Sequence, residues 1–186
     1  MHIGNIYKFF LKLQGIRYGG VQLYGIPIIV KNKSANILIG DNCHMRSGVL
    51  SNLVGLSQRC IICARDSAII KIGNGVGMSG VTIYAREKIT IGNRCVIGGN
   101  VKILDNDFHP ADPSLRLENP CANYGKAPIV IGNNVFIGCN ALILKGVSIG
   151  DNSVVGAGSV VCDSVPANCI VAGNPARIVK WFEEKK

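Results

Sequence analysis

Aliphatic residues recur at every sixth position through most of the second half of the chain. Glycine, asparagine and aspartate fill many of the positions between them, and these residues favour tight turns. The pattern predicts a row of short strands, each followed by a turn. The recurring residues are Ile91, Ile97 and Ile103 before residue 105, then Ile131, Ile137, Ile143, Ile149, Val155 and Val161.

Three such six-residue units would close one triangular coil of about 18 residues, with the aliphatic residue of each unit pointing inward. Each inward residue then stacks on the one that lies one coil further along the chain. Ile72 and Ile91 are separated by 19 positions, so one corner carries an additional residue. The periodicity predicts an all-β fold of stacked parallel strands, in which residues 39–166 form the coils.

The two ends of the chain depart from this period, and a stack of coils needs a cap at its ends. Residues 1–38 are predicted to form a cap helix followed by irregular entry strands, and residues 167–186 a closing segment with a short helix at Trp181 and Phe182. The cap helix should lie at residues 3–13, because four apolar residues there have helical spacing and would pack on the first coil. These residues are Ile3, Ile6, Phe10 and Leu13.

One interruption breaks the repeat between about residues 105 and 130. Asp105, Asp107 and His109 lie at its start. We expect the segment to leave the coils as a loop, because it holds four prolines that do not fit a regular strand. Loops on a rigid scaffold often carry binding and catalytic groups. The prolines are Pro110, Pro113, Pro120 and Pro128.

The charge balance narrows the classes of partner. Lys and Arg number 20 against 11 Asp and Glu, a net charge of +9, and no acidic residue precedes Asp41. Such a basic surface suits an acidic small molecule or an anionic membrane. No aromatic-interleaved basic patch or known binding module predicts nucleic-acid binding. The amphipathic first helix is a candidate for weak contact with the inner face of the membrane.

Eight cysteines lack the spacing of a disulfide framework, and several lie inside the repeat. They are predicted to be small buried residues of a reducing compartment. Cys60 and Cys63 form one C-x-x-C without a second pair or a nearby histidine, so no metal site is predicted. No signal peptide and no apolar stretch of about 20 residues is evident, which predicts a cytoplasmic protein.

More specific motifs lie in the later units. Residues 131–136 read IGNNVF, residues 149–154 read IGDNSV and residues 171–176 read VAGNPA. Over roughly residues 70–180, these motifs resemble the hexapeptide-repeat acyltransferases, in particular the galactoside, maltose and polysaccharide O-acetyltransferases. The resemblance implies a left-handed parallel β-helix, an exception to the right-handed crossover rule. It also implies a homotrimer with acetyl-CoA, the acetyl donor, bound between neighbouring subunits.

The same resemblance assigns catalytic roles. His109, which precedes Pro110, matches the catalytic His-Pro position and would be the general base that deprotonates a sugar hydroxyl. The backbone N–H of Cys139 would donate to the oxyanion. Asp107 would orient His109 or else form a turn.

Further residues are implied in substrate binding. Asn100 matches a family position whose side chain contacts the acceptor, and Asp105 would hold an acceptor hydroxyl or else form a turn. Along acetyl-CoA, backbone of the last coils would lie beside the pantetheine arm, with two cations beside the phosphates. The residues implied there are Phe136, Gly138, Cys139, Ala157, Gly158, Arg177 and Lys180.

Other functions predict different features. An acyl-cysteine at Cys139 or Cys121 would give a two-step reaction. Carbonic anhydrases with these repeats have a three-histidine zinc site, which the spacing of His2, His44 and His109 does not match. A non-catalytic scaffold or binding module would need no His109 loop. Among acceptors, serine, amino sugars and antibiotics are alternatives to the sugar or polysaccharide hydroxyl that we favour.

Overall fold

The computed structural model describes residues 3–183. The chain folds into a left-handed parallel β-helix, a triangular prism with one sheet on each side. Each coil passes through sheets A, B and C in turn. Sheet A contains β1 (Arg17–Tyr18), β4 (Asn36–Ile39), β7 (Ile69–Ile72), β10 (Lys88–Ile91), β13 (Ile129–Ile131) and β16 (Ser148–Ile149).

Sheet B contains β2 (Val21–Tyr24), β5 (Cys43–Arg46), β8 (Gly77–Ser79), β11 (Val96–Ile97), β14 (Phe136–Ile137), β17 (Val154–Val155), β19 (Cys169–Gly173) and β20 (Ala176–Trp181). Sheet C contains β3 (Ile28–Lys31), β6 (Ile61–Ala64), β9 (Thr82–Ala85), β12 (Lys102–Leu104), β15 (Leu142–Ile143) and β18 (Val160–Val161). Two helices accompany the sheets, α1 (Ile3–Leu13) and α2 (Pro113–Glu118).

The core consists of aliphatic side chains that stack from coil to coil. In sheet A the register places Ile91 between Ile72 and Ile131, and all three side chains are buried. Burying one such side chain contributes about 1.5–3 kcal/mol. The predicted stacking is confirmed, including the pairing of Ile72 with Ile91 across the longer interval.

The recurring Asn and Asp residues satisfy backbone amides at the corner between sheets A and B. There a side-chain oxygen of each coil accepts a hydrogen bond from a backbone N–H of the preceding coil, so few turn amides are left unpaired. At the end of this row, the Asn133 N–H lowers the pKa of the exposed Asp151 carboxyl. The donor and acceptor residues, 2.7–2.9 Å apart, are Gly20 to Asp41, Asp41 to Asn74, Asn74 to Asn93, Asn93 to Asn133 and Asn133 to Asp151.

Two segments leave the prism. Residues 47–60 join β5 to β6 at the corner between sheets B and C, and they include a 3-10 turn at Val49–Ser51. Residues 105–128 join β12 to β13 at the corner between sheets C and A, and they include α2. The second is the predicted loop. The sequence does not predict the 47–60 segment, because the six-residue period is already irregular in that region.

Both ends of the fold differ from the sequence prediction. The coils begin at Arg17 instead of residue 39, since β1, β2 and β3 already pair with β4, β5 and β6. At the other end, β19 and β20 form an antiparallel pair where a short helix was expected. Trp181 ends β20 with its side chain 55% exposed.

Helix α1 is present as predicted, but a different face packs on the prism. Leu11 is buried, and the Tyr7 hydroxyl accepts a hydrogen bond from the backbone of β3 at 3.2 Å. Phe10 and Leu13 are exposed, which corrects the prediction that they pack on the first coil. Within residues 3–183 no helix has the length and apolar character needed to cross a membrane. The side chains of the other two residues of the predicted face, Ile3 and Ile6, lie outside the described part of the structure.

Candidate active site

The 105–128 loop carries His109 and is fixed to the corner between sheets C and A. The Ala127 N–H donates to the Asp105 carbonyl at 3.0 Å, and the Asp107 N–H donates to the Gly125 carbonyl at 2.9 Å. The two ends of the loop therefore run side by side. Inside it, α2 has a capped first turn with proline at its start, an arrangement that favours helix initiation.

Asp105 is fully buried and acts as a structural residue. Its carboxylate accepts hydrogen bonds from three consecutive backbone N–H groups, those of Arg86, Glu87 and Lys88, at 2.8–2.9 Å. These amides belong to the corner of the preceding coil. The prediction that Asp105 binds the acceptor is wrong, because backbone N–H groups already bind its buried carboxylate. Its alternative role in forming a turn is the observed one.

The Asp107 side chain points to a lysine. Its carboxylate accepts a hydrogen bond from Lys145 Nζ at 2.7 Å, in an ion pair whose side chains are about one-third exposed. Its backbone carbonyl accepts a hydrogen bond from the His109 N–H at 2.7 Å. The prediction that the Asp107 carboxylate orients the imidazole is therefore wrong. Asp107 shapes the loop through its main chain instead.

The imidazole of His109 is oriented by a main-chain carbonyl. Its Nδ1 lies 2.6 Å from the carbonyl oxygen of Pro120. A carbonyl can only accept, so in the neutral ring Nδ1 carries the hydrogen and Nε2 presents a lone pair. Nε2 has no hydrogen-bond partner within residues 3–183, and the residue is exposed. This arrangement suits a general base.

The residues on either side of His109 fix its backbone. Phe108 packs on Tyr84, with ring centroids 5.0 Å apart, and it adopts a left-handed φ of 64°. Pro110 is buried. The exposed imidazole is thus carried on a segment with packed neighbours on both sides.

A second group of interest lies at the corner between sheets B and C, where Cys139 follows Gly138. The N–H of Cys139 has no acceptor in the described part of the chain, and neither has the N–H of Ala157 one coil further on. Gly138 is buried, and a Cβ there would lie 2.5 Å from Ala157 N. Gly138 therefore acts through packing, since it lets the coils that carry these two N–H groups approach closely.

The thiol of Cys139 is engaged with the backbone. Its sulfur accepts a hydrogen bond from the Gly99 N–H at 3.3 Å, and its carbonyl accepts one from the Gly158 N–H at 2.8 Å. The residue is half-buried. Its N–H is therefore the group left free for a ligand.

Four other residues implied along acetyl-CoA are exposed. Ala157 and Gly158 form an open turn, and Phe136 lies 46% exposed on the outer face of sheet B. Lys180 is exposed on β20. Together they place apolar surface, free backbone and one cation on the later coils.

Arg177 already has a partner. Its guanidinium donates to the Asp163 carboxylate at 2.9 Å, with both side chains more than half exposed. A pair this exposed is worth at most about 1 kcal/mol, so an incoming phosphate could displace the carboxylate.

Asn100 holds the 47–60 segment. Its side-chain oxygen accepts hydrogen bonds from the Ser57 N–H and hydroxyl at 3.0 and 3.1 Å, and its amide donates to the Gly55 carbonyl at 2.9 Å. These partners occupy its oxygen and one of its two amide N–H groups, so Asn100 anchors the segment, and its contact with the acceptor stays a prediction.

A pocket of about 590 Å³ runs along the outer face of sheet B, from the Cys139 corner to the first coil. The 47–60 segment forms one wall and contributes Asn52 and Val54, while His44 and Arg46 lie on the floor. Sequence reasoning missed this pocket. The available signal was the spacing of His44 and Arg46, two residues apart on one strand, which places both side chains on the same face.

The cysteines of the C-x-x-C pair lie inside the prism. Cys60 and Cys63 are buried, and burial raises the pKa of both thiols. Across residues 3–183, no three His, Cys, Asp or Glu side chains lie close enough together to hold a metal ion. His2, one of the histidines weighed for a zinc site, lies outside the described residues.

Comparisons with known proteins agree with the repeat. The family described as bacterial transferase hexapeptide (six repeats) matches residues 128–163. The galactoside O-acetyltransferase of Escherichia coli is 40% identical over 105 residues, which are 56% of this chain and 50% of that protein. The chain thus spans half the length of this relative.

Two further similarities extend over nearly the whole chain. A putative lipopolysaccharide biosynthesis O-acetyl transferase of Escherichia coli is 29% identical over 178 residues, covering 93% of this chain and 85% of that protein. The solved structure of a galactoside acetyltransferase in complex with coenzyme A has a TM-score of 0.62 and 27% identity, covering 98% of this chain and 74% of that chain. Residues 128–163 thus carry the bacterial transferase hexapeptide repeats, and over nearly its whole length the chain is similar to hexapeptide-repeat acetyltransferases in repeat and in fold.

Proposed function

We propose that the protein is an acetyl-CoA-dependent O-acetyltransferase that moves an acetyl group to a hydroxyl of a sugar or polysaccharide. The observation that carries the proposal is the geometry of His109, whose Nδ1 is held by the Pro120 carbonyl while Nε2 stays free on an exposed loop. The galactoside and lipopolysaccharide enzymes to which the chain is similar support the class of acceptor.

In this reaction Nε2 of His109 takes the proton from the acceptor hydroxyl as the hydroxyl oxygen attacks the thioester carbonyl. The developing oxyanion accepts a hydrogen bond from the Cys139 N–H. When the tetrahedral intermediate collapses, the C–S bond breaks and the imidazolium gives its proton to the CoA thiolate. Transfer is direct, and both substrates must be bound at once.

The corners of the later coils suit acetyl-CoA. Cys139 and Ala157 each present an N–H without an acceptor among residues 3–183. Amide carbonyls of a pantetheine arm could accept from these donors, and the exposed turn at Gly158 leaves room beside them. Phe136, on the neighbouring outer face, would cover the arm. Lys180 and Arg177 would then meet the phosphates as charge-assisted contacts.

We infer that the complete site forms between subunits of a homotrimer. The His109 loop packs on its own prism at sheet C and the corner between C and A, through Tyr84, Arg86 and Lys145. The pocket that ends at Cys139 lies on sheet B. A closed ring with three-fold symmetry would let the loop of one subunit cover the pocket of the next.

We also infer a weak contact of α1 with an anionic membrane surface. Phe9 and Phe10 are 60% and 53% exposed, and Leu13 beside them is 67% exposed. Lys8 and Lys12 lie on the same short helix. Apolar side chains flanked by lysines favour anionic interfaces. Sedimentation with anionic vesicles should exceed that with neutral vesicles, and Phe9→Ser with Phe10→Ser should abolish the excess; equal sedimentation would contradict the inference.

Release of the CoA thiol from acetyl-CoA, measured with a panel of sugars, tests the proposed activity. His109→Ala should lower kcat/KM by about 10²–10⁴-fold, and acetyl-CoA binding measured by calorimetry should persist. Leu117→Ala is a matched control, since Leu117 is an 88% exposed residue of the same loop. Cys139→Ala should keep most of its activity, because only the N–H is needed. No thiol release with any acceptor, together with no acetyl-CoA binding, would contradict the proposal.

A further inference from the structure

The floor of the pocket on sheet B is open at Gly77. The register places Gly77 between His44 and Val96, so these three positions form one row across the outer face. A Cβ added at Gly77 would meet no atom within 4 Å, and Gly77 does not have a positive φ. The backbone does not need glycine there. A glycine inside a strand under these conditions provides space for a ligand to approach.

Arg46 borders this space. Its guanidinium donates to the Ser51 carbonyl at 2.9 Å and lies 4.8 Å from the centroid of the Tyr24 ring. In the part of the chain that the structure describes, no carboxylate lies within ion-pair distance of Arg46. Among residues 3–183, no Asp or Glu lines the pocket either. A guanidinium held in this way, with N–H groups to spare, is suited to a carboxylate or phosphate.

The wall beside Arg46 is anchored to the prism. The Asn52 amide donates to the Ser79 hydroxyl at 3.1 Å, and Asn100 binds Ser57 further along the segment. These hydrogen bonds fix the wall in place as a structured side of the pocket. At the opposite end of the pocket lies Cys139.

We propose that this pocket binds the acceptor and that the acceptor is an acidic sugar. The carboxylate or phosphate of the sugar binds Arg46, its ring lies over Gly77, and the reacting hydroxyl points toward Cys139. This assignment rests on the proposed acetyltransferase activity, which places the oxyanion at the Cys139 N–H. The volume of about 590 Å³ lies within the usual range for small-ligand sites, about 300–1,000 Å³.

Matched acceptors test the charge. Saccharides that contain a uronic acid, and sugar phosphates, are compared with their neutral counterparts in the thiol-release assay. For the wild type, KM should be at least about ten-fold lower for one acidic class than for its neutral counterpart. The class that gains identifies the anion as a carboxylate or a phosphate. Equal KM values for acidic and neutral acceptors in both comparisons would overturn the proposal.

Arg46→Met should raise KM for the acidic acceptor by about 10- to 100-fold. Its kcat should change little, and its KM for the neutral acceptor should stay the same. Arg17→Met is the matched control, because Arg17 is an exposed arginine on sheet A, and it should change none of these values. A rise in KM for acetyl-CoA instead of the acceptor would overturn the assignment, since Arg46 would then bind the donor.

A Cβ added at Gly77 meets open space, and β-branched residues suit strands, so Gly77→Val should fill the floor and keep the fold. The variant should unfold at the same or a higher temperature than the wild type, bind acetyl-CoA normally and lose at least about ten-fold in kcat/KM for the acceptor. Thr90→Val, on the outer face of sheet A, is the control for an added outer-face valine. Undiminished acceptor turnover by folded Gly77→Val would contradict the position of the ring.

Saturation-transfer NMR with the acidic saccharide separates this proposal from the proposed activity. The His109→Ala protein, which should bind but not transfer, is expected to show saccharide binding that Arg46→Met weakens. Saccharide binding without transfer in the wild type would refute the acetyltransferase activity and leave the anion site supported. Transfer to neutral sugars, without binding of the acidic saccharide, would support the acetyltransferase activity and refute the anion site.

Discussion

Residues 105–128 and residues 129–161 are neighbours in the chain, but different interactions hold them in place. The coils of 129–161 repeat one local arrangement, in which a buried aliphatic residue such as Ile131 or Ile149 stacks on its equivalents above and below. The loop of 105–128 has few buried side chains and is held by single contacts, such as Asp107 with Lys145 and His109 with Pro120.

The difference separates stability from chemistry. Every coil buries side chains that do not differ in role, so the loss of one affects the whole stack through cooperativity between neighbours. The loop orients one imidazole through one carbonyl, so the loss of that group should affect the reaction more than the fold. The 47–60 segment follows the same rule, since a few side chains anchor it and it forms a wall of the pocket.

The largest expected effect on stability is in the coils. Ile131→Ala should lower the free energy of unfolding by about 2–5 kcal/mol, because it leaves a cavity in a stacked column. Val130→Ala, on the same strand but 44% exposed, is the control and should cost much less. Urea denaturation monitored by circular dichroism measures both. Similar losses for the two variants would contradict the stacking of the core.

Asp105 connects the two regions, and its replacement should affect both. Asp105→Ala leaves the N–H groups of Arg86, Glu87 and Lys88 without their acceptor, at a cost of about 1–3 kcal/mol. The loop would also lose its fixed start, so kcat/KM should fall as well. Unfolding curves and thiol-release kinetics on the same preparation check this. A fall in activity with unchanged stability would instead favour the acceptor-binding role that the sequence suggested.

Asp107→Asn should have a small effect. The ion pair with Lys145 is partly exposed, so its loss should change stability by less than about 1 kcal/mol. Because the carboxylate does not contact the imidazole, kcat/KM should fall far less than in His109→Ala. Steady-state kinetics on the two variants, with Lys145→Met as the partner control, measure this. A loss equal to that of His109→Ala would show that Asp107 orients the base.

The smallest effect concerns acid stability at the end of the row of corner hydrogen bonds. Asp151 has a pKa lowered from its ordinary value near 3.8 by the Asn133 N–H. A lowered pKa in the folded state stabilises the fold above the unfolded-state pKa, and this stabilisation is lost as the pH falls through the folded-state pKa. Wild type should therefore lose slightly more stability than Asp151→Asn between about pH 5 and pH 2. Urea denaturation at each pH measures this. An equal loss of stability with falling pH in the two proteins would contradict the prediction.

The sequence was sufficient for the coils because their period is local. Ile91 and Ile131 could be placed in one column by counting, and the prolines marked the loop. The partner of His109 could not be found in this way, because it is the main-chain carbonyl of Pro120, a group that every residue has. The role of Asp105 was also hidden, since its three partners are backbone amides of another coil.

Other differences have similar causes. The 47–60 segment is fixed by Asn100, whose partners lie more than 40 positions away in the chain. At the end of the chain, local apolar residues such as Trp181 suggested a helix, but the pairing of β19 with β20 satisfies the backbone as a strand. Contacts between segments that are distant in the chain determine these features, and the six-residue period of the sequence contains no information about such contacts.

The central claim is that the His109 loop of one subunit and the sheet B pocket of the next form one site. Complementation between His109→Ala and Gly77→Val chains tests it most directly, since each variant alone should have little activity. Trimers assembled at random from an equal mixture should together recover about one quarter of the wild-type sites, because about three quarters of the rings are mixed and each mixed ring restores one of its three interfaces. Thiol release by the whole mixture at about that level is the predicted result. No recovery in verified mixed trimers would show that the site lies within one subunit and would contradict the account.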